Sequence, residues 1–275
     1  MVAVKVFISV DMEGITGVVG ERETDPQNGG EAYRANCHRM TREANAAIEG
    51  CLSAGAQEIL VADSHWNFDN LIPEELNEGA TLLRGQPRSS SMLQDLDGSF
   101  GAAMFVGFHA MAGTARAILD HTFTDRIRSV QVHGREVGET GINAFLAGFY
   151  EVPVVLVTGD AAVCAEARTL LPWVRTASVK EAVTAGAARH LHPKRACDLI
   201  RGEAEKALRS MDQASALQAE TPVGMAVDFR GTGYADLAAM TPSVTRVGGT
   251  RIEFTAPDFR EAFRTFHAAI ALSGG

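Results

Sequence analysis

The chain is poor in cysteine and in positive charge, and it lacks any long apolar run or low-complexity tract. Its four cysteines, Cys37, Cys51, Cys164 and Cys197, form no C-x-x-C pair. They are too few for a disulfide scaffold and wrongly spaced for a zinc knuckle, so free thiols and a cytoplasmic location are expected. Lysine and arginine number 25 against 34 aspartates and glutamates, a formal net charge of −9. An acid-rich surface repels phosphate backbones, which excludes nucleic acid as a partner. No apolar stretch approaches the roughly 20 residues that span a bilayer; the longest, such as Val152 to Val157, are strand-sized, so no membrane partner is expected. Met1 to Val10 has a lysine inside its apolar run, an acidic residue directly after it and no small-residue cleavage site, and reads as a first strand rather than a signal peptide.

What remains is an ordinary globular composition, 46% hydrophobic and 21% charged over 275 residues. That length allows one large domain or two unequal ones. From Val2 to about Arg189 short β-branched runs alternate with helical patterns, the signature of a layered α/β sheet. Strands are expected at Val2–Val10, Glu58–Ala62, Ala102–Phe108, Ile127–His133 and Val152–Thr158. A helix is expected over Glu31–Ser53, with Cys37, Met40, Ala44, Ala47, Ile48, Cys51 and Leu52 on its buried stripe, His38 on its polar face and Gly55 as its stop. Beyond about His190 the pattern changes to a helix (Pro193–Met211), a strand (Val223–Phe229), a short helix (Tyr234–Met240), a hairpin (Val244–Val247 and Arg251–Phe254) turned at Gly248-Gly249, and a last helix after Pro257. The fold class is therefore α/β: a three-layer α/β/α arrangement around a mostly parallel sheet, with residues 1–190 as the larger α/β domain and 191–275 as a smaller C-terminal α+β domain.

Three apolar strands end directly in metal-type residues. Phe7-Ile8-Ser9-Val10 runs into Asp11-Met12-Glu13-Gly14, Leu60-Val61-Ala62 into Asp63-Ser64-His65, and Phe105-Val106-Gly107-Phe108 into His109. Ligands of open α/β sheets bind outside the carboxyl ends of the strands, so parallel pairing brings these side chains together. Asp11 and Glu13, two apart, lie on one side of an extended chain. A hairpin turned at Gly134 ends in Gly138-Glu139, which adds a third carboxylate. Two imidazoles and three carboxylates suit zinc better than magnesium, and five donors exceed the three of one catalytic zinc, which points to a bridged pair of ions. Other polar residues have plainer roles. Asp63 reads as a turn or cap residue, Asp160 as a helix cap, His133 as a solvated side chain beside a turn, and His190, His192 and His267 as structural.

The strings Ser9-Val10-Asp11-Met12-Glu13-Gly14, Asp63-Ser64-His65, Gly107-Phe108-His109-Ala110 and Val137-Gly138-Glu139 with Gly141-Ile142-Asn143-Ala144 resemble the zinc-dependent D-aminopeptidase family named for a bacterial dipeptide-transport operon. The resemblance covers the first two-thirds of the chain in order and spacing, and the rest more diffusely. It implies two zinc ions per chain, with Asp11 as the bridging carboxylate, Glu13 and His109 on one zinc, and His65 and Glu139 on the other. It also implies His121 as the catalytic histidine, acting as nucleophile or as general acid and base. Further implications are short peptides with an amino-terminal D-residue as substrate and a ring-shaped homo-oligomer, a decamer, as the assembly.

Three rival readings have specific signals. Gly14-x-x-Gly17-x-x-Gly20 after a first strand hints at a dinucleotide enzyme, but its spacing is not G-x-G, and Asp11 with Glu13 would set two negative charges where phosphates belong. A dinuclear phosphoesterase would use the same metals on a different electrophile. A non-catalytic small-peptide binding module would need neither metals nor turnover.

Overall fold

The computed structural model describes residues 4–274; Val2 and Ala3, the expected start of the first strand, lie outside them. In chain order the elements are β1 (Lys5–Val10), α1 (Gly30–Ser53), β2 (Glu58–Asp63), β3 (Thr81–Leu83), β4 (Ala102–Phe108), β5 (Ile127–Val132), β6 (Arg135–Glu136), α2 (Glu139–Phe149), β7 (Val154–Asp160) and α3 (Ala161–Leu170). There follow β8 (Arg175–Thr184), β9 (Ala187–His190), α4 (Pro193–Arg209), β10 (Val223–Phe229), α5 (Thr232–Ala238), β11 (Thr245–Arg246), β12 (Arg251–Ala256) and α6 (Phe259–Leu272).

Seven strands form one sheet in the order β3-β2-β1-β4-β7-β8-β9, parallel throughout except for the β8–β9 pair. Both β4 and β7 are buried along their whole length, which is why they read as continuous apolar runs: a central parallel strand has no solvent face. The chain winds outward from β1 to β2 and β3 on one side, then returns to β4 and proceeds through β7 and β8 on the other. The β1/β4 junction is thus the point where strand order reverses, where an open sheet leaves a crevice at its carboxyl edge.

One face of the sheet is covered by α1 and α4, whose Met40, Ala44, Ile48, Ile200 and Ala204 pack on Ile8, Val61 and Met104. Cys37 and Cys51 are buried in that stripe as expected, whereas Leu52 is 39% exposed, on the flank of the helix. The other face meets α2 and α3, and its core runs on without a break into a second sheet, β11-β12-β10-β5-β6, and α6. The Phe259, Ala262, Phe263, Phe266 and Ile270 stripe of α6 is buried there. Two features cross the 190–191 boundary drawn from the sequence. The β5–β6 hairpin pairs with β10 of the C-terminal region, and α4 packs beside α1 on the same face of the sheet. The β8–β9 hairpin and β3 had no expected counterpart; both lie at sheet edges, where partial exposure breaks up the apolar run. All four cysteines are free thiols. Among the described residues no helix is long and apolar enough to cross a membrane.

Candidate active site

The exits of β1 and β4 are held together by backbone. The Asp11 amide donates to the Val106 carbonyl at 2.8 Å, and the Gly14 amide to the Gly107 carbonyl at 2.7 Å. Both glycines are required by this approach. A Cβ on Gly14 would overlap the Phe108 carbonyl oxygen, and one on Gly107, whose φ is +71°, would overlap that of Asp11. Beside them, the Ser64 amide donates to the Val10 carbonyl at 2.8 Å, which brings the end of β2 to the same edge. Asp63 organises the loop beyond: it accepts the amides of Asn70 and Leu71, each at 2.6 Å, and the Asn70 side-chain amide at 2.8 Å. This is the turn role expected of it.

Asp11, Glu13, His65, His109 and Glu139 converge on one buried site, each no more than 6% exposed. Asp11 stands between two groups. Its Oδ1 is 3.2 Å from His65 Nδ1, and its Oδ2 is 3.6 Å from His109 Nε2. Glu13 Oε2 lies 3.0 Å from His65 Nδ1, and Glu139 Oε1 lies 3.3 Å from His109 Nε2 and 3.6 Å from His121 Nε2. The potential ligand atoms of Asp11, Glu13 and His65 fall within 4.8 Å of one another, as do those of His109, His121 and Glu139. This differs from the pairing that the resemblance implied, in which Glu13 accompanies His109 and His65 accompanies Glu139. The strand order explains the difference: β1 lies between β2 and β4, Asp11 faces both, and Glu13 turns toward the β2 side.

The three imidazoles are pinned alike. His65 Nε2 donates to the Thr24 carbonyl at 2.8 Å, His109 Nδ1 to that of Ala110 at 3.1 Å, and His121 Nδ1 to that of Leu119 at 2.9 Å. A ring whose proton is committed to backbone turns a lone pair on its other nitrogen toward the carboxylates. Lone pair against lone pair at these distances calls for a cation between them, either an added proton or a metal ion. Among the described residues, Glu13 Oε2 and His109 Nε2 are buried without a hydrogen-bond partner, which marks positions left for a metal. Backbone carbonyls orienting the far nitrogen of a ligating imidazole are the usual outer support of such sites.

Without metal, electrostatics load the site with protons. Burial, together with the neighbouring Glu13 charge, pushes the Asp11 carboxyl up to about 8. Burial opposes the charged forms of Glu13 and His65 as well, but their mutual attraction prevails: Glu13 is held well below the carboxylate range and His65 well above 6.5. In the same way burial is outweighed at His109, which Glu139 and Asp11 raise to about 10, and at Glu139, which His109 lowers. Metal binding displaces such protons, because ligands bind in their deprotonated forms.

His121 is the most open of the three histidines, its side chain 23% exposed. Its ring stacks on His109 with centroids 4.0 Å apart. The segment that presents it includes Leu119 and Phe123 in left-handed conformation, at φ 54° and 60°, a strain that persists only where surrounding contacts enforce it. One such contact is the Phe123 amide, which donates to Glu139 Oε1 at 2.6 Å. The remaining sequence candidates lie elsewhere. Asp160 caps α3 by accepting the Val163 amide at 2.8 Å, His192 caps α4, and His133 sits at the β5–β6 turn against the Glu220 carbonyl. His190 accepts the Gly17 amide at 3.0 Å, and His267 stacks on Phe263.

Two buried charges, Lys180 and Glu43, and one half-buried charge, Glu166, escaped sequence reasoning. Lys180, in β8 and 2% exposed, donates to the carbonyls of Glu13, Ile15 (3.1 Å) and Val18 (2.8 Å), and so clamps the loop that carries Glu13. Glu43 accepts the Thr16 amide of that loop at 2.8 Å. Glu166 accepts the Met111 amide at 2.9 Å, two residues past His109. Burial lowers Lys180 to about 8 and raises Glu43 to about 7 and Glu166 to about 6.

Comparison with known proteins gives the family of the chain. A family model described as D-aminopeptidase matches residues 4–268. A D-aminopeptidase of Bacillus subtilis (strain 168) is 35% identical over 261 residues, 94% of each chain. The solved structure of the Zn-dependent D-aminopeptidase DppA from Bacillus subtilis, called a self-compartmentalizing protease, superposes with a TM-score of 0.95 at 34% identity, covering 98% of both chains. With the shared edge of β1, β2 and β4 as its centre and a match along nearly the whole sequence, the chain belongs to the D-aminopeptidase family of metallopeptidases.

Proposed function

We propose that this enzyme holds two zinc ions per chain and removes the amino-terminal residue, in the D configuration, from short peptides. The observation that carries the reading is the placement of Asp11, one carboxylate oxygen toward His65 and the other toward His109, as a shared ligand requires. On this reading Glu13 and His65 complete one ion's protein ligands, and His109 and Glu139 the other's. The donor set of imidazole and carboxylate fits zinc. Bound zinc supplies Lewis acidity, which acidifies a water near neutral pH and polarises the scissile carbonyl.

The chain's own residues supply the rest. Three carboxylates in a buried crevice favour a cation, so the free ammonium end of a peptide is drawn toward Asp11, Glu13 and Glu139. His121 keeps one ring proton on the Leu119 carbonyl and presents the free nitrogen to the cluster. A histidine at that position can pass a proton to the departing amine. The same lone-pair geometry would serve attack on the carbonyl, and a trapped acyl group on His121 would distinguish the two roles. We also propose that the chain works in the cytoplasm as a ring-shaped homo-oligomer, a decamer, in keeping with its free thiols and with the self-compartmentalizing relative; sedimentation measures the copy number.

The test is elemental analysis after zinc reconstitution, joined to turnover of D-Ala-D-Ala, L-Ala-L-Ala and N-acetyl-D-Ala-D-Ala. Close to two zinc ions per chain, with cleavage of the first peptide only, is expected. Equal rates on the first two peptides would reject D-selectivity, and rapid cleavage of the third would reject the exopeptidase reading.

A further inference from the structure

Arg128 occupies an irregular position on β5. Opposite it on β10, Asp228 pairs with Ser129 and Phe229 with Ile127, so Arg128 is the extra, unpaired residue of a β-bulge. Bulges re-aim a side chain and recur beside active sites. Arg128 is exposed and lines a cavity of about 250 Å³. The arginines in ion pairs among the described residues are others, such as Arg175, Arg201 and Arg251.

The cavity belongs to the same segments as the candidate site. Its wall includes Met111, two residues past His109, Thr122, which adjoins His121, and Val137, two residues before Glu139. We infer that Arg128 binds the free carboxylate at the far end of a short peptide substrate, and so confines the enzyme to di- and tripeptides. The inference rests on the aminopeptidase reading and extends it to the leaving side of the scissile bond. Its basis is charge complementarity. The acidic cluster holds the ammonium end, and a guanidinium, with its planar fork of donors, is matched to a carboxylate. One residue of extended chain spans about 3.3–3.6 Å, so in a dipeptide or tripeptide the carboxylate lies within one or two such steps of the bond being cut. The cavity is smaller than the roughly 300–1,000 Å³ that drug-sized ligands occupy, which suits an end group better than a continuing chain. Glu136 lines it too, and its charge weakens the hold on any anion, on a dianion such as phosphate more than on a single carboxylate.

The experiment compares KM for D-Ala-D-Ala and its carboxamide, D-Ala-D-Ala-NH2, on the zinc-reconstituted protein and on Arg128→Met and Arg128→Lys variants. A charge-assisted hydrogen bond at an exposed guanidinium is worth about tenfold in affinity. The native enzyme should therefore favour the free acid about tenfold in KM, Arg128→Met should bring the ratio near one, and Arg128→Lys should restore part of it. Equal KM values on the native enzyme, or a ratio unmoved by Arg128→Met, would overturn the inference while leaving the aminopeptidase reading in place. Failure of the native protein to cleave either compound would overturn both.

Discussion

Replacing Asp11 by asparagine should have two opposite effects, and the pair is diagnostic. The substitution keeps the shape but removes a charge that stands 3.2 Å from His65 and 3.6 Å from His109. On the two-zinc reading proposed above Asp11 serves both ions, so zinc content should fall at both positions, well beyond the roughly 10–100-fold loss of affinity typical when a mere supporting residue is removed. Glu13→Gln, which touches one group, should cost one ion. Without metal the sign reverses. The folded pKa of Asp11, about 8 against an ordinary 3.8, means that the native chain binds more protons than the unfolded chain between those values. The residue's contribution to stability therefore falls as pH rises through that window. At pH 7 the penalty is on the order of 4 kcal/mol at about 1.4 kcal/mol per pH unit, with the attraction of His65 and His109 already included in the raised value. A neutral asparagine escapes it. The metal-free variant should thus melt several degrees above the metal-free native protein at pH 7, with the gap shrinking toward pH 4. Inductively coupled plasma analysis gives the metal content, and calorimetry in chelator gives the melting temperatures. A variant that retains two ions, or a metal-free variant less stable than native at pH 7, would refute the reasoning.

Other residues allow shorter tests. His121→Ala should retain its zinc and lose about 10²–10⁴ in kcat, the usual worth of positioned acid–base help; loss of an ion instead would make His121 a ligand, as its grouping with His109 and Glu139 permits. Lys180→Met should weaken zinc binding at the Glu13 side, read by chelator competition, because three carbonyls of the Glu13–Val18 loop lose their common donor; unchanged affinity would show that the loop holds its shape without the clamp. Asp160→Ala should lower stability by about 1–2 kcal/mol in denaturant titration through loss of the α3 cap, with the Ile118 amide, which Asp160 also accepts at 2.9 Å, left unpaired. A melting curve identical to native would contradict both contacts.

The parts of this molecule that were legible in the sequence are those governed by local pattern. Central strands such as Ala102–Phe108 announce themselves by burial on both faces, and α1 by a stripe at helical spacing that includes both Cys37 and Cys51. The convergence of Asp11, His65 and His109 was legible because it needs only parallel pairing, a global rule with local signs. What stayed hidden depends on which strand lies beside which. Lys180, followed directly by Glu181, reads as one of two adjacent charges in an ambiguous run until β8 is laid against β7 and its ammonium reaches the β1 exit. The regrouping of Glu13 with His65 follows from the order β2-β1-β4, which no single segment encodes. Arg128 is more hidden still, for its bulge exists only in relation to Asp228 and Phe229, about a hundred residues along the chain. Candidate ligands at strand ends are therefore within reach of sequence reasoning, whereas the residues that clamp them and the residue inferred to select the substrate's far end emerge only from pairing between distant strands.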